Sequence, residues 1–95
     1  MPTPAIYILT NSSNSTLYVG VTSNLPVRVT QHKEKLVDSF SQKYNLSKLV
    51  YYEQFQTMYD AISREKQLKN WRRAWKNELI EKLNPNWDDL SADLW

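Results

Sequence analysis

The chain has 95 residues, with 41% hydrophobic and 13% aromatic side chains, enough for one domain with a small core and too apolar for a disordered polymer. It contains no cysteine, which excludes disulfides, thiolate nucleophiles and cysteine-rich zinc sites. The net charge of +2 hides an uneven spread: residues 1–27 carry no charged side chain, residues 28–76 hold eleven Lys/Arg against five Asp/Glu, and residues 77–95 hold one Lys against five acids.

The longest apolar run, Ala5 to Leu9, falls far short of the roughly 20 residues that a membrane-spanning helix needs. No basic residue precedes an apolar stretch at the N-terminus, so no secretory signal is expected and a cytoplasmic location is. Residues 5–10 and 17–22, rich in β-branched and aromatic types, flank a polar Asn-Ser-Ser-Asn-Ser-Thr stretch and read as a hairpin. A loop symmetric about Ser13 and Asn14 sets Tyr7 opposite Gly20 and Leu9 opposite Tyr18. Tyr7 and Tyr18 then share one face, expected to be partly open, while Ile6, Ile8, Val19 and Val21 form the core side. Gly20, the only glycine, sits in a strand interior, where a missing Cβ marks a bulge or lets a ligand approach closely. Substrate approach beside Tyr7 is its functional expectation.

Ser23 or Asn24 caps a helix that has Pro26 in its first turn and runs to about Lys35. Leu25, Arg28, Val29, His32 and Leu36 fall on one stripe, with Arg28 and His32 a turn apart. Singly, a snorkelling arginine and a carbonyl-bonded histidine account for the two; together on an apolar face they are site candidates. Residues 48–55 form a third strand, and Thr57 to Asp60 resembles a capping box opening a helix that reaches about Lys69. The stripe of that helix, Met58, Ala61, Ile62 and Leu68, is completed by Glu65. A carboxylate in such a slot requires a cation, either an arginine (Arg28 or Arg64) or a metal ion. Beyond it, Lys69, Arg72, Arg73 and Lys76 interleave with Trp71 and Trp75, a mixture suited to phosphate neutralisation and base stacking, although tryptophans one turn apart also serve a core. A third helix ends by Leu83, and Asn84-Pro85 begins an irregular acidic tail over 84–95. The order ββαβαα describes a single α+β domain over 1–95.

Ala5-Ile6-Tyr7, Tyr18-Val19-Gly20, Arg28, His32 and Glu65, in this order and spacing, resemble the GIY-YIG nuclease superfamily. The resemblance is strongest to its small single-domain bacterial members, which share a similar Tyr-Ile-Gly-Val-Thr stretch, a Lys-Leu-Val-Tyr-Tyr-Glu strand and a closing Asn-Pro-x-Trp. It implies a three-stranded antiparallel sheet flanked by helices and metal-dependent endonucleolytic hydrolysis of DNA phosphodiesters, in repair or in processing of branched or damaged DNA. On that pattern Tyr18 is the general base or water-orienting phenol with Tyr7 beside it, Arg28 holds the scissile phosphate, and His32 assists proton transfer. Glu65 binds a single divalent ion, Mg2+ or Mn2+. Ala5 replaces the first glycine of the name motif. Val21 stands where the excision-repair nucleases carry a lysine that lowers the tyrosine's pKa, so Tyr18 and His32 both remain candidates for the proton acceptor. Asn84, Asn86 and Asp88 lie where many members have an asparagine, and none is singled out. DNA is the expected partner, RNA stays open, no membrane is involved, and a protein partner or homodimer is open too. The competing readings are a nucleic-acid-binding module with a silent site and an adaptor that holds a protein.

Overall fold

The hairpin is built around its own polar side chains. In the computed structural model, which describes residues 3–34 and 43–94, β1 (Ala5–Thr10) and β2 (Leu17–Thr22) pair antiparallel with Tyr7 opposite Gly20 and Leu9 opposite Tyr18, the expected register. Asn11 ties the connection together: its Oδ1 accepts from the Ser15 N–H at 2.9 Å and its Nδ2 donates to Ser15 Oγ at 2.8 Å. Asn14 adopts a left-handed conformation with φ 59°, which asparagine tolerates better than most residues. Asn24 caps α1 (Leu25–Lys33), its Oδ1 accepting from the Val27 N–H at 3.4 Å. The expected end near Lys35 and the stripe residue Leu36 lie outside the described residues.

β3 (Lys48–Gln54) pairs antiparallel with the other side of β1, giving the strand order β2-β1-β3. Ile8 faces Tyr51 while Leu9 faces Leu49, so Val50 is the extra residue of a bulge. Thr57 opens α2 (Met58–Lys69), its Oγ1 accepting from the Asp60 N–H at 3.1 Å, and α3 (Arg73–Leu83) follows after a short break. The protein is thus an α+β fold with a three-stranded antiparallel sheet and flanking helices. No helix among the described residues is long and apolar enough to cross a membrane.

All six residues of β1 are buried, because both faces of the sheet are covered. Ile6, Ile8 and Val19 pack with Ala61, Leu68 and Ile80 of α2 and α3. Ala5, Tyr7 and Leu9 pack with Leu25 and Val29 of α1 and with Leu46 and Leu49. The tyrosine face is therefore not open at Tyr7, which is fully buried: the apolar stripe of α1 lies over it. Ile62, expected in the α2 stripe, is 37% exposed. Ala61 and Leu68 form the buried seam of that helix, and Ile62 lies about 100° round from Ala61.

Within the tail expected to be irregular over 84–95, residues 84–94 turn back and form a short 3-10 helix (Leu90–Leu94) against β3 and α1. Asn84 is buried; its Nδ2 donates to the Val50 and Asp88 carbonyls at 3.0 and 2.9 Å, and its Oδ1 accepts from the Asp88 N–H at 3.0 Å. Asp89 accepts from the Leu49 N–H at 3.2 Å and from Lys33 Nζ at 2.7 Å. Burial alone would raise the Asp89 carboxyl, but the bonds from Lys33, Ser91 and Leu49 outweigh it and hold the group below the usual carboxylate range.

Candidate active site

Three aromatic rings from three elements meet on the α1 side of the sheet. Tyr7 and Tyr18 come from opposed positions on β1 and β2, and His32 comes from the last turn of α1. The ring centroids lie 6.3 Å apart for Tyr7 and Tyr18, 5.6 Å for Tyr7 and His32, and 5.4 Å for Tyr18 and His32. A buried hydrogen bond of 3.0 Å joins Tyr7 Oη to His32 Nε2. Tyr7 and His32 are sealed from solvent, whereas Tyr18 is half-buried. The arrangement is a buried, hydrogen-bonded phenol–imidazole pair with a more accessible phenol beside it, groups of the kind that orient a water and accept its proton.

Gly20 makes this seating achievable. A Cβ at Gly20 would fall 2.4 Å from both Cζ and Oη of Tyr7, so the Tyr7 phenol occupies the space that the absent side chain leaves. This corrects the expectation that Gly20 offers an approach to substrate: the close approach is real, but the visitor is an intramolecular ring. The structural reason is the register itself, which sets the two residues directly opposite each other.

Arg28 sits one helical turn before His32 and is half-buried, and among the described residues no ion pair or hydrogen bond engages its guanidinium. A half-buried guanidinium outside any ion pair among the described residues suits an anionic oxygen. Glu65 is placed differently. It stands on α2, which packs on the opposite face of the sheet against β1 and the edge strand β2. Its side chain is 14% exposed and pairs with Lys69 at 3.0 Å, not with Arg28 or Arg64. Arg64 instead binds Glu53, with Nε at 3.2 Å and Nη2 at 3.1 Å, and Tyr51 donates to the same carboxylate. Burial, then the Glu53 contact, pushes the Tyr51 phenol well above its ordinary pKa.

Among the described residues, no three His, Cys, Asp or Glu side chains gather into a metal site. The single carboxylate of Glu65 still fits magnesium or manganese, hard ions that keep several waters and complete their shell with substrate phosphate oxygens. Lys69 would have to yield its place to such an ion.

The basic residues proposed for nucleic acid separate on inspection. Lys69 is paired with Glu65. Arg73 is engaged: its Nη1 and Nη2 donate to the Ser15 and Asn14 carbonyls at 3.0 and 2.5 Å, and its Nε donates to Asn77 at 3.0 Å. It anchors the hairpin loop, which corrects its assignment as a free phosphate contact. Arg72 lies over the Trp75 ring at 5.2 Å. Lys76 is half-buried and its ammonium is pushed below the usual range, by burial first and by Arg73 second. Asn84, unassigned from sequence, proves to be the buried bracket of the tail; the signal available was only its place before Pro85.

A model of the GIY-YIG catalytic domain matches residues 3–79. A UPF0213 protein of Syntrophus aciditrophicus is 37% identical, covering 84% of this chain and 91% of its own, and one from Pediococcus pentosaceus is 34% identical, covering 80% and 79%. The solution structure of a UPF0213 protein from Bacillus halodurans superposes with a TM-score of 0.57 at 20% identity, over 90% of each chain, a likeness of fold. With three-quarters and more of its length matched and the tyrosine, arginine and histidine positions on one side of the sheet, this chain belongs to the GIY-YIG family, whose catalytic domain implies nuclease-type activity.

Proposed function

We propose that the protein is a divalent-metal-dependent endonuclease that hydrolyses phosphodiester bonds in DNA, acting on branched or damaged DNA in the cytoplasm. The observation that carries this reading is the convergence of Tyr7, Tyr18 and His32 on the α1 side of the sheet, with Arg28 one helical turn before His32 and, among the described residues, outside any ion pair or hydrogen bond. Water attacks phosphorus while its proton passes to the accessible Tyr18 phenol, or through it to His32, which the Tyr7 hydrogen bond holds in place. The bond from phosphorus to the leaving sugar oxygen breaks, that oxygen takes a proton from solvent, and Arg28 neutralises the charge that develops on the non-bridging oxygens. Glu65 would hold a single Mg2+ or Mn2+, which when bound supplies Lewis-acid stabilisation of the same charge. With one small domain, affinity and sequence discrimination are modest, and a partner or a second copy is the proposed source of targeting.

The test is nicking of supercoiled and branched DNA by the pure protein with magnesium, with an RNA substrate alongside. Arg28→Ala and Glu65→Ala are expected to abolish cleavage while leaving the fold intact by circular dichroism. Cleavage at wild-type rate by both variants would overturn the proposal. A second reading, a binding module that does not cut, is favoured by the Glu65–Lys69 ion pair, which occupies the only proposed metal ligand. It predicts salt-sensitive DNA binding that survives both substitutions, with no product under any divalent ion.

A further inference from the structure

Trp75 is 47% exposed and meets Trp71 edge to face, with centroids 6.0 Å apart and planes at 87°. Each indole carries a guanidinium: Arg64 lies 5.2 Å from the Trp71 centroid and Arg72 5.2 Å from that of Trp75. With Leu79, Lys82 and the single acid Glu78, the two rings line a cleft of about 210 Å3. That is smaller than the roughly 300 Å3 at which drug-sized ligand sites begin, and it suits one flat ring at a time.

The charge around the cleft works against the helix that bears it. Arg72, Arg73 and Lys76 crowd the amino end of α3, whose first turn has no acid and whose cap residue Arg72 makes no side-chain cap bond. Cations there oppose the helix dipole instead of complementing it. Crowded like charges next to a half-exposed indole complement a ligand that is both anionic and flat-ringed. A nucleic-acid strand has that chemistry, but its base faces are available only where they are unpaired. Arg73 also ties this end of α3 to Asn14 and Ser15, and Ser15 leads through two residues into Tyr18, so the cleft is coupled to the hairpin that bears the candidate phenol.

We infer that the Trp71–Trp75 face of α3 docks an unpaired stretch of DNA, one base stacking on Trp75 while Arg72, Lys76 and Lys82 take the flanking phosphates. This rests on the nuclease reading and adds its substrate class: DNA with unpaired nucleotides beside the cut. The test is fluorescence anisotropy of a labelled oligothymidylate and of a hairpin duplex, with EDTA present so that nothing is cleaved. The single strand binds more tightly than the duplex and quenches tryptophan emission. Trp75→Ala weakens single-strand binding roughly 5- to 150-fold and leaves duplex binding unchanged, Trp75→Phe retains most of the affinity, and Arg72→Gln lowers both the affinity and its salt dependence.

Equal binding of single strand and duplex, or a single-strand Kd indifferent to Trp75→Ala, overturns the inference. So does tighter binding of oligouridylate than of oligothymidylate, or a dimer in solution that Trp75→Ala abolishes without altering DNA affinity. The two proposals separate cleanly. If nothing is cut but Trp75-dependent binding is present, the nuclease reading fails and the platform stands. If cutting requires Arg28 and Glu65 while binding ignores Trp75, the platform alone fails.

Discussion

On the α2 and α3 side of the sheet, Ile6, Ile8, Val19, Leu68 and Ile80 meet in aliphatic contact. On the α1 side, Tyr7 and His32 are buried just as deeply, yet each brings polar atoms that must find partners away from water. The first side obtains its stability from area alone. The second spends part of its burial on fixing a hydroxyl against an imidazole, an arrangement that a purely stabilising core would replace with leucine and valine at no loss. The three aromatic rings thus gather on one side of β1, while the other side is mainly aliphatic and carries Glu65 on α2.

The sharpest way to break that division is Leu68→Ala. Removing a fully buried leucine should cost about 2–5 kcal/mol, read as a drop in Tm of roughly 10 °C or more, while the His32 ring signals in NMR stay where they are. If those signals shift, the two sides are not separable. Next comes Gly20→Ala, whose methyl would lie 2.4 Å from Tyr7. Overpacking of this kind costs about 1–3 kcal/mol, and here it should displace the His32 signals strongly, the reverse of the Leu68 result.

Two smaller effects test the polar contacts that edge the aliphatic side and the tail. The raised pKa of Tyr51 means that the folded phenol stays protonated where the unfolded chain ionises. Its contribution is then complete below about pH 10 and lost as pH rises further. Tyr51→Phe should flatten the alkaline limb of the stability profile measured by urea unfolding. Asp89 has the opposite sign. Its lowered pKa gives a contribution present above the unfolded value near 3.8 and lost as pH falls through the folded one. Because the ion pair with Lys33 is about a third exposed on each side, Asp89→Asn should cost about 1 kcal/mol or less at neutral pH and progressively less as pH falls through the folded-state value.

Local chemistry made much of this readable in advance. The Tyr7–Gly20 register follows from a loop centred on Ser13 and Asn14, and Asn24 and Thr57 announce their helices by the bonds they accept. What could not be read depends on how distant segments dock. The sealing of Tyr7 requires α1 to lie over β1, Glu65 pairs with Lys69 one turn along its own helix, and Arg73 is bound by loop carbonyls nearly sixty residues away. The tail reads as irregular in sequence because its hold comes from single side chains, Asn84 and Asp89, reaching β3 from outside any periodic pattern.

That hold has a practical outcome. The matched domain stops at residue 79, and even a chain cut after Leu83, which keeps α3 and the buried Ile80, would discard Asn84 and Asp89 and strip the outer margin of β3 of its cover. The Leu49 N–H and Val50 carbonyl would then face water beside a row of apolar side chains, a template for strand addition by a neighbouring molecule. Aggregation of such a shortened protein would report a missing guard on the sheet.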